Sequence, residues 1–209
     1  MLPAGWRHFV VPNPVEVEKR QPVAVERNRD FIFVGRFVPE KGPVRLAEAA
    51  RQSGVPATFL GDGPEADRIR AAYPAARVLP WADAKAVEAV LEGGRALVFP
   101  SAWYETSGLV VAEALARGVP AIVSDATGAR DLIDDGSNGL LFSPDDPSAL
   151  VSCMERLSSD EVARRMGRNA FARYWNAPLS RRAHVDRLLD VYDAVLDDGS
   201  VDAMTEMVP

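Results

Sequence analysis

Six short runs rich in β-branched and aromatic residues alternate with stretches of helical pattern: FIFVG (31–35), ATFLG (57–61), RVLPW (77–81), ALVFP (96–100), AIVSD (121–125) and GLLFS (139–143). The runs are apolar at successive positions, so as strands they must be covered on both faces. Helical patterns fall at about 43–53, 65–73, 84–92, 108–117 and 129–133, with a helical run from 146 to about 196. Right-handed crossovers then place helices on both sides of a parallel sheet. The expected fold class is α/β, a doubly wound, Rossmann-like parallel sheet.

Composition narrows what such a sheet can serve. With 24 Lys and Arg against 30 Asp and Glu, the chain carries a formal charge of −6, whereas a phosphate backbone demands a concentrated basic surface. No nucleic-acid partner is expected. The single Cys153 excludes an internal disulfide framework and a multi-cysteine metal site, and reads as a small buried hydrophobe in a helix. No apolar stretch reaches the roughly 18 residues of a membrane span, and the start lacks a basic segment followed by an apolar one. A soluble, cytoplasmic chain without a membrane span is the expectation. Residues 1–28 form a Pro-punctuated, charged opening segment, residues 29–196 the α/β domain, and residues 197–209 a polar tail expected to be disordered.

Ligands of doubly wound sheets sit beyond the carboxyl ends of the strands, which directs attention to the loops there. The first, Gly35-Arg36-Phe37-Val38-Pro39-Glu40-Lys41-Gly42-Pro43, sets two cations ahead of a helix start, a plausible place for a diphosphate. It lacks the G-x-G-x-x-G fingerprint, and Lys41 is followed by Gly42-Pro43 where a P-loop has Ser or Thr. Gly61-Asp62-Gly63-Pro64 makes a tight turn whose backbone can approach a ligand.

FPSAWYETSGLVVAEALARGVP (99–120) says more. Gly108 opens a helix whose first amides face the same crevice, Thr106 or Ser107 can cap it, and Glu105 stands just before. Glu113 lies among Leu109, Val110, Val111, Ala112, Ala114, Leu115 and Ala116. It serves either as a carboxylate accepting from neighbouring sugar or ribose hydroxyls, or as an ion-pair partner of Arg117 four positions on. A hydrolase dyad with Glu105 is weaker, because nothing fixes the two groups across a scissile bond. His8 and His184 read as surface or packing residues, and no two Asp residues are separated by a single intervening residue, so the D-x-D pattern is missing and metal-free chemistry is expected.

In order and spacing, VGRFVPEKG, FLGDGP, VFPSAWYETSGLVVAEALARGVPAIVSD, GARDLI, DGSNGLLF and DPSAL resemble the second half of family 4 retaining glycosyltransferases of the GT-B fold, over about residues 10 to 196. The resemblance implies a nucleotide-diphospho-sugar donor, with Arg36 and Lys41 clamping its diphosphate. Glu105 then contacts the donor sugar and Glu113 the ribose, and amides near Gly108 and Leu109 meet sugar and phosphate. Pro80-Trp81 receives the base, while Gly35 and Gly61 let the loops come close. It also implies catalysis by Arg36, Lys41 and Glu105 without metal or cofactor. Thr106-Ser107 replaces the commoner Gly-Phe or Pro-Phe, Asp131 stands where Glu is usual, and Asn13-Pro14 where Asn-Gly is usual. HFVVPNPVEV resembles the interdomain link, so the acceptor site is expected on a missing N-terminal domain or a partner chain. The chain is thus expected to be the donor half of a hexosyltransferase-like enzyme, inactive alone; the alternative is a non-catalytic nucleotide-sugar-binding or interaction module.

Overall fold

A computed structural model describes residues 9–103, 105 and 108–197. Contacts divide the chain into two compact units, one spanning residues 17–177 and the other drawn from both ends, up to residue 16 and from residue 178.

The first unit holds all six expected strands, β1 (Asp30–Val34), β2 (Ala57–Leu60), β3 (Arg77–Leu79), β4 (Gly94–Phe99), β5 (Ala121–Ser124) and β6 (Gly139–Phe142). Every pairing is parallel and the sheet order is β3-β2-β1-β4-β5-β6. Each residue of β2, β4 and β5 is buried, as a strand covered on both faces must be. The covering helices are α1 (Pro43–Ser53), α2 (Ala66–Ala72), α3 (Ala84–Glu92), α4 (Leu109–Ala116), α5 (Ala149–Ser158) and α6 (Asp160–Asn176).

Two expected helical regions differ in kind. The segment near 129–133 is a 3₁₀ turn at Gly128–Leu132. The long run from 146 breaks into α5, α6 and, in the second unit, α7 (Arg181–Asp197), with Ser159 extended between α5 and α6. Cys153 lies in α5, where burial pushes its thiol up to about 11 and its Sγ donates to the Leu141 carbonyl. Within the second unit, the His184 ring donates through Nδ1 to the Pro12 carbonyl at 2.8 Å, a packing role; His8 lies outside the described residues.

Order 3-2-1-4-5-6 has its reversal between β1 and β4. Crossovers from these two strands depart in opposite directions, leaving a crevice beyond their carboxyl ends.

Candidate functional site

The crevice at that reversal is built by two loops that interlock. After β1, Pro39–Lys41 forms a 3₁₀ turn, and Gly42 reverses the chain into α1 with φ of +69°. A Cβ on Gly42 would lie 2.4 Å from the Pro100 carbonyl oxygen, so only glycine lets this turn seat against the end of β4. Gly61, after β2, is equally confined, since a Cβ there would come 1.9 Å from the Gly35 carbonyl oxygen.

Seated this way, Lys41 reaches across to the loop after β4 and pairs with the Glu105 carboxylate. Ser101 Oγ lies 2.5 Å from the other Glu105 oxygen and 2.8 Å from the Glu40 carbonyl. The Ala102 amide donates to that same carbonyl at 3.1 Å, and the Gly128 amide donates to the Glu105 carbonyl at 2.8 Å. Lys41, Glu105, Gly35, Gly108 and Leu109 share a cavity of about 220 Å³ with Phe33 and Phe99 of β1 and β4. A second, more open cavity of about 420 Å³ continues from it past Gly35 and Lys41 to Arg36, Asp62 and Trp81.

Arg36 is exposed and, among the described residues, has no ion pair, so it is free to meet an anion. Trp81, 59% exposed, offers an indole face on the far side of the same opening. Pro80 is exposed beside it but lines neither cavity. Gly108 is the residue that precedes α4 and caps it without a side chain; Thr106 and Ser107 lie outside the described residues.

Glu113 sits four residues after Leu109 and three after Val110, both of which line the inner cavity, so it occupies the same helix face one turn deeper. The ion pair with Arg117 is not formed. Arg117 Nη1 donates instead to the Glu113 backbone carbonyl at 2.9 Å, and its Nη2 lies 3.6 Å from Glu88. Among the described residues Glu113 has no ion-pair partner. Burial raises its pKa above the ordinary carboxylate range, opposed by the charge of Arg117. A half-buried carboxylate without a cation is suited to accept from hydroxyl groups.

Loop-by-loop reading did not single out Ser101 or Asp62. Ser101 was hidden because a serine after a strand is common, and the only signal was its place at a strand's carboxyl end.

A two-lobed crevice at a sheet reversal, with cations at its middle and an aromatic residue at one end, is an arrangement in which a Rossmann-like domain can hold a phosphorylated ligand. The profile of the family "Glycosyl transferases group 1" matches residues 15–173, and the chain belongs to that family. It is 27% identical over 208 residues to the UDP-Gal:alpha-D-GlcNAc-diphosphoundecaprenol alpha-1,3-galactosyltransferase of Escherichia coli, covering 88% of this chain and 53% of that one. It is 33% identical over 176 residues to a GDP-mannose-dependent alpha-mannosyltransferase of Mycolicibacterium smegmatis, covering 82% of this chain and 44% of the relative. Sucrose-phosphate synthase from Thermosynechococcus elongatus superposes with a TM-score of 0.75 at 25% identity, over 90% of this chain and 52% of that structure. The chain thus spans about half the length of each of these three proteins. Among the described residues, no helix is long and apolar enough to cross a membrane.

Proposed function

We propose that this chain supplies the donor-binding half of a glycosyltransferase that moves a glycosyl group from a nucleotide-diphospho-sugar to an acceptor with retention of configuration. The reading is carried by the convergence of Arg36, Lys41, Glu105 and Trp81 on one crevice. In it, residues 29–196 act as the nucleotide-sugar-binding domain and residues 1–28 as its link to the acceptor half. Trp81, with Pro80, receives the base, Glu113 accepts from the ribose hydroxyls, Arg36 and Lys41 hold the diphosphate, and Glu105 meets the sugar. Gly108 and Leu109 bring the first amides of α4 to the sugar and phosphate. Charge on the departing diphosphate is stabilised by the two cations and the start of α4, without metal.

The names of the two relatives carry different nucleotides, UDP in one case and GDP in the other. A panel of both nucleoside diphosphates and their sugars is therefore the test. A ligand that binds only the folded chain must raise its melting temperature. A rise with at least one nucleotide is expected, and no rise with any would overturn the reading. Transfer is expected only when the acceptor half is present, because proximity of the two substrates supplies about 7–11 kcal/mol of the barrier. Robust transfer by this chain alone would contradict that division of labour. In the second unit, α7 exposes Val185, Leu189, Tyr192 and Leu196 at helical spacing, an apolar stripe suited to an acceptor half.

Glu113→Gln should weaken nucleoside diphosphate binding by roughly 1.5–3 kcal/mol, the scale of hydrogen bonds to a charged group. Calorimetric titration measures it, and equal affinities would remove the ribose-gripping role.

A further inference from the structure

We propose that Ser101 is a positioning residue for the donor sugar, acting through Glu105; the inference rests on the donor-binding reading above. The Ser101 side chain is buried, with the residue 1% exposed, and its hydroxyl has one proton and two acceptors within reach, the Glu40 carbonyl and the Glu105 carboxylate. The carboxylate is charged and is the nearer of the two, at 2.5 Å against 2.8 Å, so the hydroxyl proton goes to Glu105. Glu105 has a second partner in Lys41. That partner is shared, because Lys41 also lines the outer cavity with Arg36, where a diphosphate would draw it away.

The arrangement assigns different tasks to the two contacts. Lys41 neutralises Glu105 while the crevice is empty, and an arriving diphosphate competes for that cation. Once Lys41 has turned to the diphosphate, Ser101 is what keeps the carboxylate aimed into the inner cavity, where the sugar hydroxyls would sit. The Ala102 amide, which donates to the Glu40 carbonyl at 3.1 Å, ties the loop after β4 to the turn that carries Lys41.

The consequence is a split between ligands that differ only in the sugar. Affinities of the full chain for UDP and UDP-galactose, and for GDP and GDP-mannose, are measured by titration. In the pair that binds, Ser101→Ala is expected to leave the nucleoside diphosphate unchanged and to weaken the nucleotide sugar roughly tenfold, the size of a lost hydrogen bond to a charged group. Ser101→Cys, which fills the same space with a weak donor, should reproduce the loss. Added to Glu105→Gln, Ser101→Ala should cost nothing further, because both changes break one contact. Equal weakening of both ligands, no weakening of either, or additive losses in the double variant would overturn the proposal while leaving donor binding intact. Failure of the unaltered chain to bind any of the four ligands would instead remove the donor-binding reading, and this proposal with it.

Discussion

Lys41→Ala, in the enzyme with its acceptor half in place, is expected to lower turnover by about 10²–10³-fold, by analogy with removing one donor from an oxyanion site. In the proposed transfer the diphosphate would gain charge as the glycosidic bond breaks, so a cation held beside it would favour the transition state over the bound donor. The 3₁₀ turn Pro39–Lys41 and the left-handed Gly42 fix the backbone of Lys41 just ahead of α1. Its removal also leaves Glu105, with only 17% of its side chain exposed, without its cation. Single-turnover rates with the labelled donor check this, beside a melting curve showing that the fold survives. Turnover equal to the unaltered enzyme would sink the assignment of Lys41 to the leaving group.

Arg95→Met is expected to destabilise the chain strongly, by about 1–3 kcal/mol for a buried carbonyl left without its donor. Arg95 is only 1% exposed although it lies in β4, whose other five residues are apolar or glycine. Its Nε donates to the Leu157 carbonyl and its Nη2 to that of Ser158, each at 2.7 Å, which satisfies the last two residues of α5. Nη1 reaches the Asn28 carbonyl at 2.7 Å, and Nη2 also pairs with Asp160, the first residue of α6. Methionine fills much of the volume but leaves those carbonyls without a donor. Denaturant unfolding measures the loss, and a variant as stable as the unaltered chain would refute the clamp.

The same cluster carries a pH dependence. Hydrogen bonds from Arg29 and then Arg95 hold the Asp160 carboxyl at about 2, against an ordinary value of 3.8. A depressed folded-state pKa means that the stabilisation is complete above pH 3.8 and is lost as the pH falls through about 2. Arg95→Met should flatten the loss over that window, with the remainder due to Arg29.

How far these sites were legible differs residue by residue. The strand expected at 96–100 leaves Arg95 outside it. The strand begins at Gly94, and the charge is tolerated only because carbonyls from Asn28, Leu157 and Ser158 converge on it. Arg36, Lys41 and Glu105 could be named from their loops, yet the contact between Lys41 and Glu105 spans 64 positions and no spacing rule predicts it. For Glu113, helical spacing favoured neither of two roles. The structure discards the ion pair because Arg117 turns to Glu88, on α3.

What the sequence by itself determined is local. Runs apolar on successive positions become strands covered on both faces, and the glycines and prolines after them become loops at their carboxyl ends. The forces behind those choices act between residues a few positions apart. The tertiary structure alone decided that β1 and β4 stand side by side at the reversal of the sheet, which brings Lys41 and Glu105 into one crevice and leaves Ser101 beneath them. That convergence arises from the order in which crossovers lay strands beside one another. The order depends on packing across the whole sheet, which no short stretch of chain records.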